Sequence, residues 1–123
     1  MQRKYLGLIA GLACLGSVSA FAAAAEQKTV EALFAEKAKL SGHEVQVKGK
    51  VVKVNNGVMN RNFLHIQDGT GKQGSNDVTV TSEETANIGD EVIITGTIAV
   101  DKDFGAGYTY PLLIEKAKIA KAK

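Results

Sequence analysis

The stretch GHEVQVKGKVVKVNNGVMNRNFLHIQDGTG (residues 42–71) decides the fold of this chain. Apolar and polar residues alternate over residues 43–54 and again over 63–67, which is typical of strands with one buried face. Gly49 interrupts the first run, and the phase of the alternation shifts after it. A glycine within a strand often marks a bulge or a sharp bend. The stretch therefore predicts two strands, the first of them bent, joined by a polar loop over residues 55–62.

The residues on either side predict one helix and three more strands. Val30, Leu33 and Phe34 recur at helical spacing, so residues 29–40 predict an amphipathic helix. Residues 77–81, 91–100 and 110–119 alternate as strands do, and Gly96 interrupts the fourth strand as Gly49 interrupts the first. Residues 101–109 form a second long loop, which is rich in glycine and aromatic residues.

Five short strands, two of them with central glycines, predict a small closed β-barrel. The order of one helix, three strands, a short connector and a hairpin matches the OB-fold, a five-stranded Greek-key barrel. We therefore expect a mainly β domain over residues 23–123, in which the helix packs on a barrel of about 43–119. In that fold the loops after the first and fourth strands flank the binding face. Here these loops are residues 55–62 and 101–109.

The first 22 residues have the features of a secretory signal peptide. Positive charges at residues 3–4 precede an apolar run over 6–16, and residues 20–22 form an A-x-A cleavage site. The run is shorter than the ~20 apolar residues that span a bilayer, which disfavours an uncleaved anchor. Gly11 stands three residues before Cys14, where a lipoprotein needs an aliphatic residue. We expect cleavage near Ala22, export to the periplasm and no transmembrane segment in the mature chain.

Composition and charge exclude several classes of function. The whole chain has 15 Lys+Arg and 13 Asp+Glu, and removal of residues 1–22 leaves 13 of each. Clustered cations supply much of the affinity for nucleic acids, so a neutral mature chain gives that function no global support. Cleavage also removes Cys14, the only cysteine. The mature chain would then have no disulfide, thiolate metal site, haem attached through C-x-x-C-H or cysteine nucleophile.

Three segments carry a resemblance to a known family: GKVVKVNNGVMNRNFLHIQDGTG (49–71), DVTVTS (77–82) and IGDEVIITGTIAVDKDFGAGYTYPLLIEKAKI (88–119). They resemble small exported bacterial OB-fold proteins described as nucleic-acid-binding-like or anticodon-binding-like, which include NrfJ-like periplasmic proteins. The resemblance spans about residues 29–119. It implies an OB-fold and a link to the cytochrome c nitrite reductase system. The chain has Phe63 where the family more often has Trp, which removes an indole N–H donor.

The candidate ligand-binding residues are polar, aromatic and basic side chains at the two loops. They are Asn56, Met59, Arg61, Asn62, Phe63 and His65 at the first loop and second strand, and Lys102, Phe104, Tyr108 and Tyr110 at the second loop. Aromatic rings with cations around them are typical of single-stranded nucleic-acid binders, whereas Asp101 and Asp103 would repel phosphate. Structural roles remain open as well, because Asn side chains stabilise turns and aromatic rings fix Gly-rich loops.

Metal and catalytic sites have little support in the sequence. Met59 and His65, with His43 as a third ligand, are the candidates for Cu(I), which favours thioether and imidazole groups. These residues are dispersed, so we expect no metal and no cofactor. No serine lies in a nucleophile-elbow pattern, and we expect no catalytic residues.

These observations predict a non-enzymatic periplasmic OB-fold binding module. We expect an accessory factor that binds a protein or a small ligand through residues 55–62 and 101–109, alongside a redox enzyme as the resemblance implies. Two alternatives stay open: a single-stranded nucleic-acid-binding protein, and a copper-handling protein that uses Met59 and His65. The ligand and the oligomeric state are not determined by the sequence.

Overall fold

The computed structural model describes residues 25–105, 107 and 109–122. This part of the chain is mainly β, with six strands and two short helices. In chain order they are β1 (Glu26–Gln27), α1 (Val30–Ala35), α2 (Lys37–Leu40), β2 (Glu44–Val58), β3 (Arg61–Gln67), β4 (Val78–Ser82), β5 (Glu91–Asp103) and β6 (Thr109–Lys121). The predicted signal peptide, with Cys14, lies outside the described residues. Neither described helix is long and apolar enough to cross a membrane.

The strands form one sheet that closes into a ring. Its order is β1-β2-β3-β4-β6-β5, and a further antiparallel pairing of β2 with β5 joins the two sides. The β4–β6 pairing is parallel and consists of only two residue pairs, Thr79 with Leu113 and Val80 with Ile114. The short β1, which the sequence did not predict, adds to β2 in parallel outside the ring. The prediction of a mainly β, OB-like architecture with little helix is confirmed at this level.

The core lies inside the ring and is built by the alternation seen in the sequence. Its buried residues are Val45, Val47, Val51, Leu64, Ile66, Val78, Val80, Val92, Ile94, Ile98, Leu112, Ile114 and Ala117 from the strands, with Val30, Leu33 and Leu40 from the helices. Gly49 lets β2 curl closely over β3, since a Cβ at this position would lie 2.7 Å from the carbonyl oxygen of Gln67. Gly49 thus marks a close approach of two backbones, and the irregularity in the pairing of β2 with β3 lies further on, between Val51 and Lys53.

The single helix predicted over residues 29–40 is wrong in one respect, because the chain forms two helices. Thr29 caps α1 by accepting a hydrogen bond from the N–H of Ala32. Glu36 leaves the helical conformation at φ −111° and ψ 15°, which separates α1 from α2. Its carboxylate lies 2.8 Å from Nζ of Lys28, and this hydrogen bond lowers the pKa of Glu36. The ion pair with Lys28 thus lies at the residue where α1 ends and α2 begins.

The loop that follows β3 fixes the start of α1. Oδ2 of Asp68 accepts a hydrogen bond from the N–H of Val30 at 2.9 Å, and Oγ1 of Thr70 accepts one from the N–H of Glu31. Oδ1 of Asp68 accepts from both the hydroxyl and the N–H of Thr70. Burial raises the pKa of Asp68, but these hydrogen bonds outweigh that effect and hold it below its ordinary value. The first N–H groups of α1, which have no partner within the helix, thus attach the helix to the loop after β3.

The predicted loop over residues 55–62 is wrong, because β2 and β3 continue through most of it. Only Met59 and Asn60 connect the strands, with φ values of 52° and 65°. Two successive left-handed residues form a tight hairpin turn whose twist matches the strands, which lets the pairing continue to Val58 and Arg61. We call residues 55–62 the β2–β3 arm.

The predicted loop over residues 101–109 is also shorter than expected. Lys102 pairs with Tyr110 and Asp103 with Thr109, so the antiparallel ladder of β5 and β6 extends into the predicted loop from both sides. We call residues 100–110 the β5–β6 arm. Both predicted binding loops are therefore hairpins whose strands are paired almost to the turn. Each strand extends further into its loop than the sequence pattern indicated.

Candidate ligand-binding cleft

Three aromatic rings join the β5–β6 arm to β3. The centroids of Phe63 on β3 and Phe104 at the tip of the β5–β6 arm lie 5.6 Å apart, edge to face. The ring of Tyr110 lies 6.0 Å from Phe63 and 5.9 Å from Phe104. Phe63 is on the outer face of the barrel and yet is only 4% exposed. The cluster therefore holds the β5–β6 arm against the outside of β3.

Two cations complete this contact. The guanidinium carbon of Arg61 lies 5.1 Å from the centroid of Phe104, and Nζ of Lys102 lies 5.6 Å from it. Both distances are within the range of cation–π attraction. Lys102 also lies 3.6 Å from a carboxylate oxygen of Glu115 on β6. The ring of Phe104 is therefore already in contact with Phe63, Tyr110 and two cations of the same chain.

A cleft of about 630 Å³ lies beside this cluster, between the end of β4 and the middle of β6. Side chains of both charges line it. The lining residues are Asn60, Arg61, Thr81, Ser82, Glu83, Glu84, Lys102, Glu115, Lys116, Ala117 and Lys118. This volume is within the range of ligand pockets.

The cleft exists because β4 and β6 diverge after their two paired residues. Side chains bridge the gap instead of a backbone ladder. The hydroxyl of Ser82 donates to the carbonyl of Ala117 at 2.7 Å and accepts from the N–H of Glu84 at 2.8 Å. A carboxylate oxygen of Glu84 accepts from the N–H of Ile119 at 2.7 Å. These hydrogen bonds connect the two strands where the backbone ladder between them has ended.

A bulge in β6 widens the cleft on the other side. Between Thr95 and Thr97 of β5 the register of β6 shifts by one residue, and Lys116 takes a left-handed conformation with φ 55°. An extra residue on one strand is a β-bulge, and bulges often redirect side chains at binding sites. The sequence indicated a regular strand here. Gly96, directly opposite, was the one available signal of the bulge.

The structure brings together some of the predicted site residues but not all of them. Arg61, Phe63, Lys102, Phe104 and Tyr110 meet at the aromatic cluster. Tyr108 lies outside the described residues. Among the ligand-binding residues predicted from the sequence, Arg61 and Lys102 line the cleft itself.

Other predicted residues have structural roles. The amide of Asn62 accepts from the N–H of Gly57 and donates to the carbonyl of Glu84 at 3.1 Å, which stabilises the β2–β3 arm. Oδ1 of Asn56 accepts from the hydroxyl of Thr85 at 2.8 Å. Met59 is at the tip of the arm, 37% exposed. The loop asparagines are thus used largely for backbone and loop contacts within the chain.

The candidate copper ligands do not converge. His43 precedes β2 and Met59 follows it, so they flank opposite ends of a 15-residue strand. Along β3, Arg61 and His65 are four residues apart, about 13 Å at the usual rise, and Met59 lies beyond Arg61. His65 contacts Asp77 instead, with 2.8 Å between Nδ1 and Oδ1. Within the described residues no three His, Cys, Asp or Glu side chains form a group suited to a metal.

Comparisons with known proteins identify the fold alone. No protein-family model and no curated protein matches this chain. Among solved structures it is similar to "OBody AM2EP06 bound to hen egg-white lysozyme", with a TM-score of 0.52 and 20% identity over 69% of this chain and 84% of that one. It is also similar to "OBody AM3L15 bound to hen egg-white lysozyme", with a TM-score of 0.51, 20% identity, and coverages of 69% and 85%. The class defined by fold and site is thus a mainly β, OB-fold-like protein with a cleft beside its two arms.

Proposed function

We propose that this protein is a non-enzymatic binding module that takes a protein segment or a small ligand in the cleft between β4 and β6. The observation that carries the proposal is the cleft itself, which has a volume of about 630 Å³ and is lined by side chains of both charges. Polar and charged side chains form the rim of protein–protein interfaces, whereas catalysis needs a nucleophile or an acid–base pair arranged around a reacting atom.

The charges and ring contacts favour a protein or small ligand over a nucleic acid. The cleft lining has four cations and three carboxylates, a small excess of positive charge, whereas nucleic-acid sites neutralise many phosphates with clustered cations. Stacking of bases needs open aromatic faces. Phe63 is buried, and Phe104 is in contact with Arg61 and Lys102. Single-stranded nucleic-acid binding is therefore the alternative, and the experiments below distinguish it from the binding of a protein or a small ligand.

The fold likeness supports the same proposal. We assign the ring of β2, β3, β4, β6 and β5 as the five-stranded Greek-key barrel of the OB-fold, with β1 as an addition. The two similar structures are titled as OBodies bound to hen egg-white lysozyme, so proteins of this fold are able to bind a folded protein. From this likeness we infer only that the architecture of this chain is compatible with protein binding.

We further propose that the protein acts outside the cytoplasm. The pattern of residues 1–22 supports export with cleavage near Ala22. The sequence resemblance to NrfJ-like proteins supports a role as an accessory factor of a periplasmic redox system of the cytochrome c nitrite reductase type. Amino-terminal sequencing of the protein recovered from the periplasmic fraction would test the export step directly.

The binding function is tested by selecting peptides from a random displayed library on the immobilised protein. The affinity of enriched peptides is then measured by calorimetry for the wild type and for Arg61→Ala. We expect Arg61→Ala to weaken binding at least about tenfold, because a hydrogen bond to a charged group contributes about 1.5–3 kcal/mol.

The matched control is Lys53→Ala, which removes an exposed cation of β2 outside the cleft. It should leave the affinity unchanged. The proposal is wrong if no peptide is enriched, or if the enriched peptides bind Arg61→Ala and the wild type equally. Tight binding of a short oligothymidylate that weakens steeply with salt would instead establish the nucleic-acid alternative.

A further inference from the structure

Lys116 has a backbone conformation that a lysine rarely adopts. Its φ of 55° lies in the left-handed region, where a side chain with a Cβ is disfavoured and glycine is preferred. The residue is exposed and lines the cleft. Strain of this kind is often found at functional sites, where the side chain is used. The chain thus keeps a long cation at a place where glycine would suit the backbone better.

Arg61 is the second cation available to a ligand. It lies over the ring of Phe104, which fixes its position, and it lines the cleft. Among the described residues no carboxylate lies within 4 Å of the charged group of Arg61, Lys116 or Lys118. A guanidinium that stacks on a ring keeps its planar set of donors for a carboxylate, which it binds with two parallel hydrogen bonds.

The carboxylates of the cleft are mostly engaged within the chain. Glu115 lies 3.6 Å from Lys102, and Glu84 accepts the N–H of Ile119. Glu83 remains as the acidic side chain without such a contact among the described residues. The lining thus has four cations against three carboxylates, and Lys102 is the cation that lies near one of these acids. We infer that the occupant of the cleft is an acidic peptide segment whose carboxylates are bound by Arg61 and Lys116. This inference rests on the proposed binding function.

Three probes of similar length test the inference: hexaglutamate, hexaglutamine and a six-residue oligothymidylate, each titrated into the ¹⁵N-labelled protein. We expect hexaglutamate to shift the amides of the cleft and to bind at least about tenfold more tightly than hexaglutamine, since charge-assisted hydrogen bonds are the stronger ones. The affinity should fall with salt. Equal affinities for the two peptides, or no binding of hexaglutamate, would overturn the inference. So would tighter binding of the oligothymidylate, which would show that the site recognises phosphate.

A pair of variants separates use of the side chain from its effect on the fold. Lys116→Gly should leave the Tm unchanged or raise it, because glycine relieves the left-handed strain, and yet weaken hexaglutamate binding several-fold. The matched control is Asp101→Gly. Asp101 has a φ of 54° in β5, has the opposite charge and is outside the cleft lining. It should relieve the same strain without weakening the binding. Unchanged affinity in Lys116→Gly, or an equal loss in both variants, would overturn the role of Lys116.

The two levels of the proposal fail in different ways. If library peptides bind in the cleft without a preference for acidic residues, the binding function stands and the acidic ligand is wrong. If neither the library nor hexaglutamate gives binding that depends on Arg61, both are wrong.

Discussion

Gly96 on β5 lies directly against the backbone of Glu115 on β6, so that a Cβ on Gly96 would be 2.9 Å from the carbonyl oxygen of Glu115. The same Cβ would lie 2.6 Å from Cγ2 of Ile114 and 3.1 Å from Cα of Ala117. This close approach occurs at the bulge that carries Lys116. The β5–β6 ladder can bend there only because one residue has no side chain.

Gly96→Ala should therefore lower the free energy of unfolding by about 3 kcal/mol, the upper part of the range for overpacking, since two of the three crowded atoms belong to the backbone. Urea unfolding measures the loss. The control is Gly74→Ala, in the loop between β3 and β4. Gly74 has a φ of 93°, but a Cβ added there would meet no atom within 4 Å, so its loss should be ~1 kcal/mol from conformation alone. Equal losses in the two variants would contradict the crowding.

Ser82→Ala should destabilise the junction between β4 and β6. The hydroxyl belongs to a residue that is 3% exposed and makes two hydrogen bonds, so its loss leaves the carbonyl of Ala117 and the N–H of Glu84 without this partner. We expect a loss of about 1–3 kcal/mol and faster hydrogen exchange at the amide of Glu84. Ser75→Ala removes a hydroxyl from an exposed turn and should cost much less. Unchanged exchange at Glu84 would exclude this bridging role.

Asp68 should make the stability depend on pH in the acid range. Its pKa is lower in the folded chain than its ordinary value of 3.8, so its carboxylate stabilises the fold fully above that value and loses this effect as pH falls through the depressed pKa. Asp68→Ala should cost about 1–2 kcal/mol at pH 7, as for the loss of a helix cap. Urea unfolding from pH 7 to pH 2 should show this cost shrinking in acid. A cost in Asp68→Ala that is constant with pH would rule out the charge effect.

Phe104→Ala should release the β5–β6 arm while the ring of strands stays folded. The variant removes ring contacts to Phe63 and Tyr110 and the cation contacts of Arg61 and Lys102. We expect a loss of about 2 kcal/mol and faster exchange of arm amides, with core strands still protected. Phe104→Leu keeps apolar volume and should recover part of the stability but not the cation–π part. Arm amides that exchange as slowly in Phe104→Ala as in the wild type would contradict this attachment.

The strands could be predicted from the sequence because their alternation is set by the core. Residues such as Val45, Val47, Leu64 and Ile66 occur at every second position within their strands, and each is buried. The extent of the arms could not be predicted in the same way. The run of asparagines at 55–56 with Gly57 is typical of a turn, whereas pairing of Val58 with Arg61 across a two-residue turn depends on the partner strand. The pairing of the two strands therefore outweighs the turn preference of the Asn-Asn-Gly segment.

The candidate site was predicted in part for a related reason. The sequence predicts Arg61, Phe63, Lys102, Phe104 and Tyr110 as ligand-binding residues of the two loops and the second strand, and the structure brings them together. The β6 side of the cleft was missed because residues 116–118 fall in a segment that alternates like any strand. The bulge depends on the close approach of Gly96 to the backbone of β6. The alternation of residues within one strand carries no information about this contact. The contact between His65 and Asp77 likewise joins residues twelve positions apart.

The ring of strands closes at the β4–β6 pairing, which consists of only two residue pairs. Residues 79–80 and 113–114 are far apart along the chain, so closing the ring here costs loop entropy and gains few backbone hydrogen bonds in return. The cleft opens beside this pairing, with residues 81–84 on one side and 115–118 on the other. A bound segment that contacts both sides of the cleft would hold β4 and β6 together and so stabilise the closed barrel. Occupancy would then prolong the lifetime of the folded protein, so that a partner in constant supply also protects its binder from degradation.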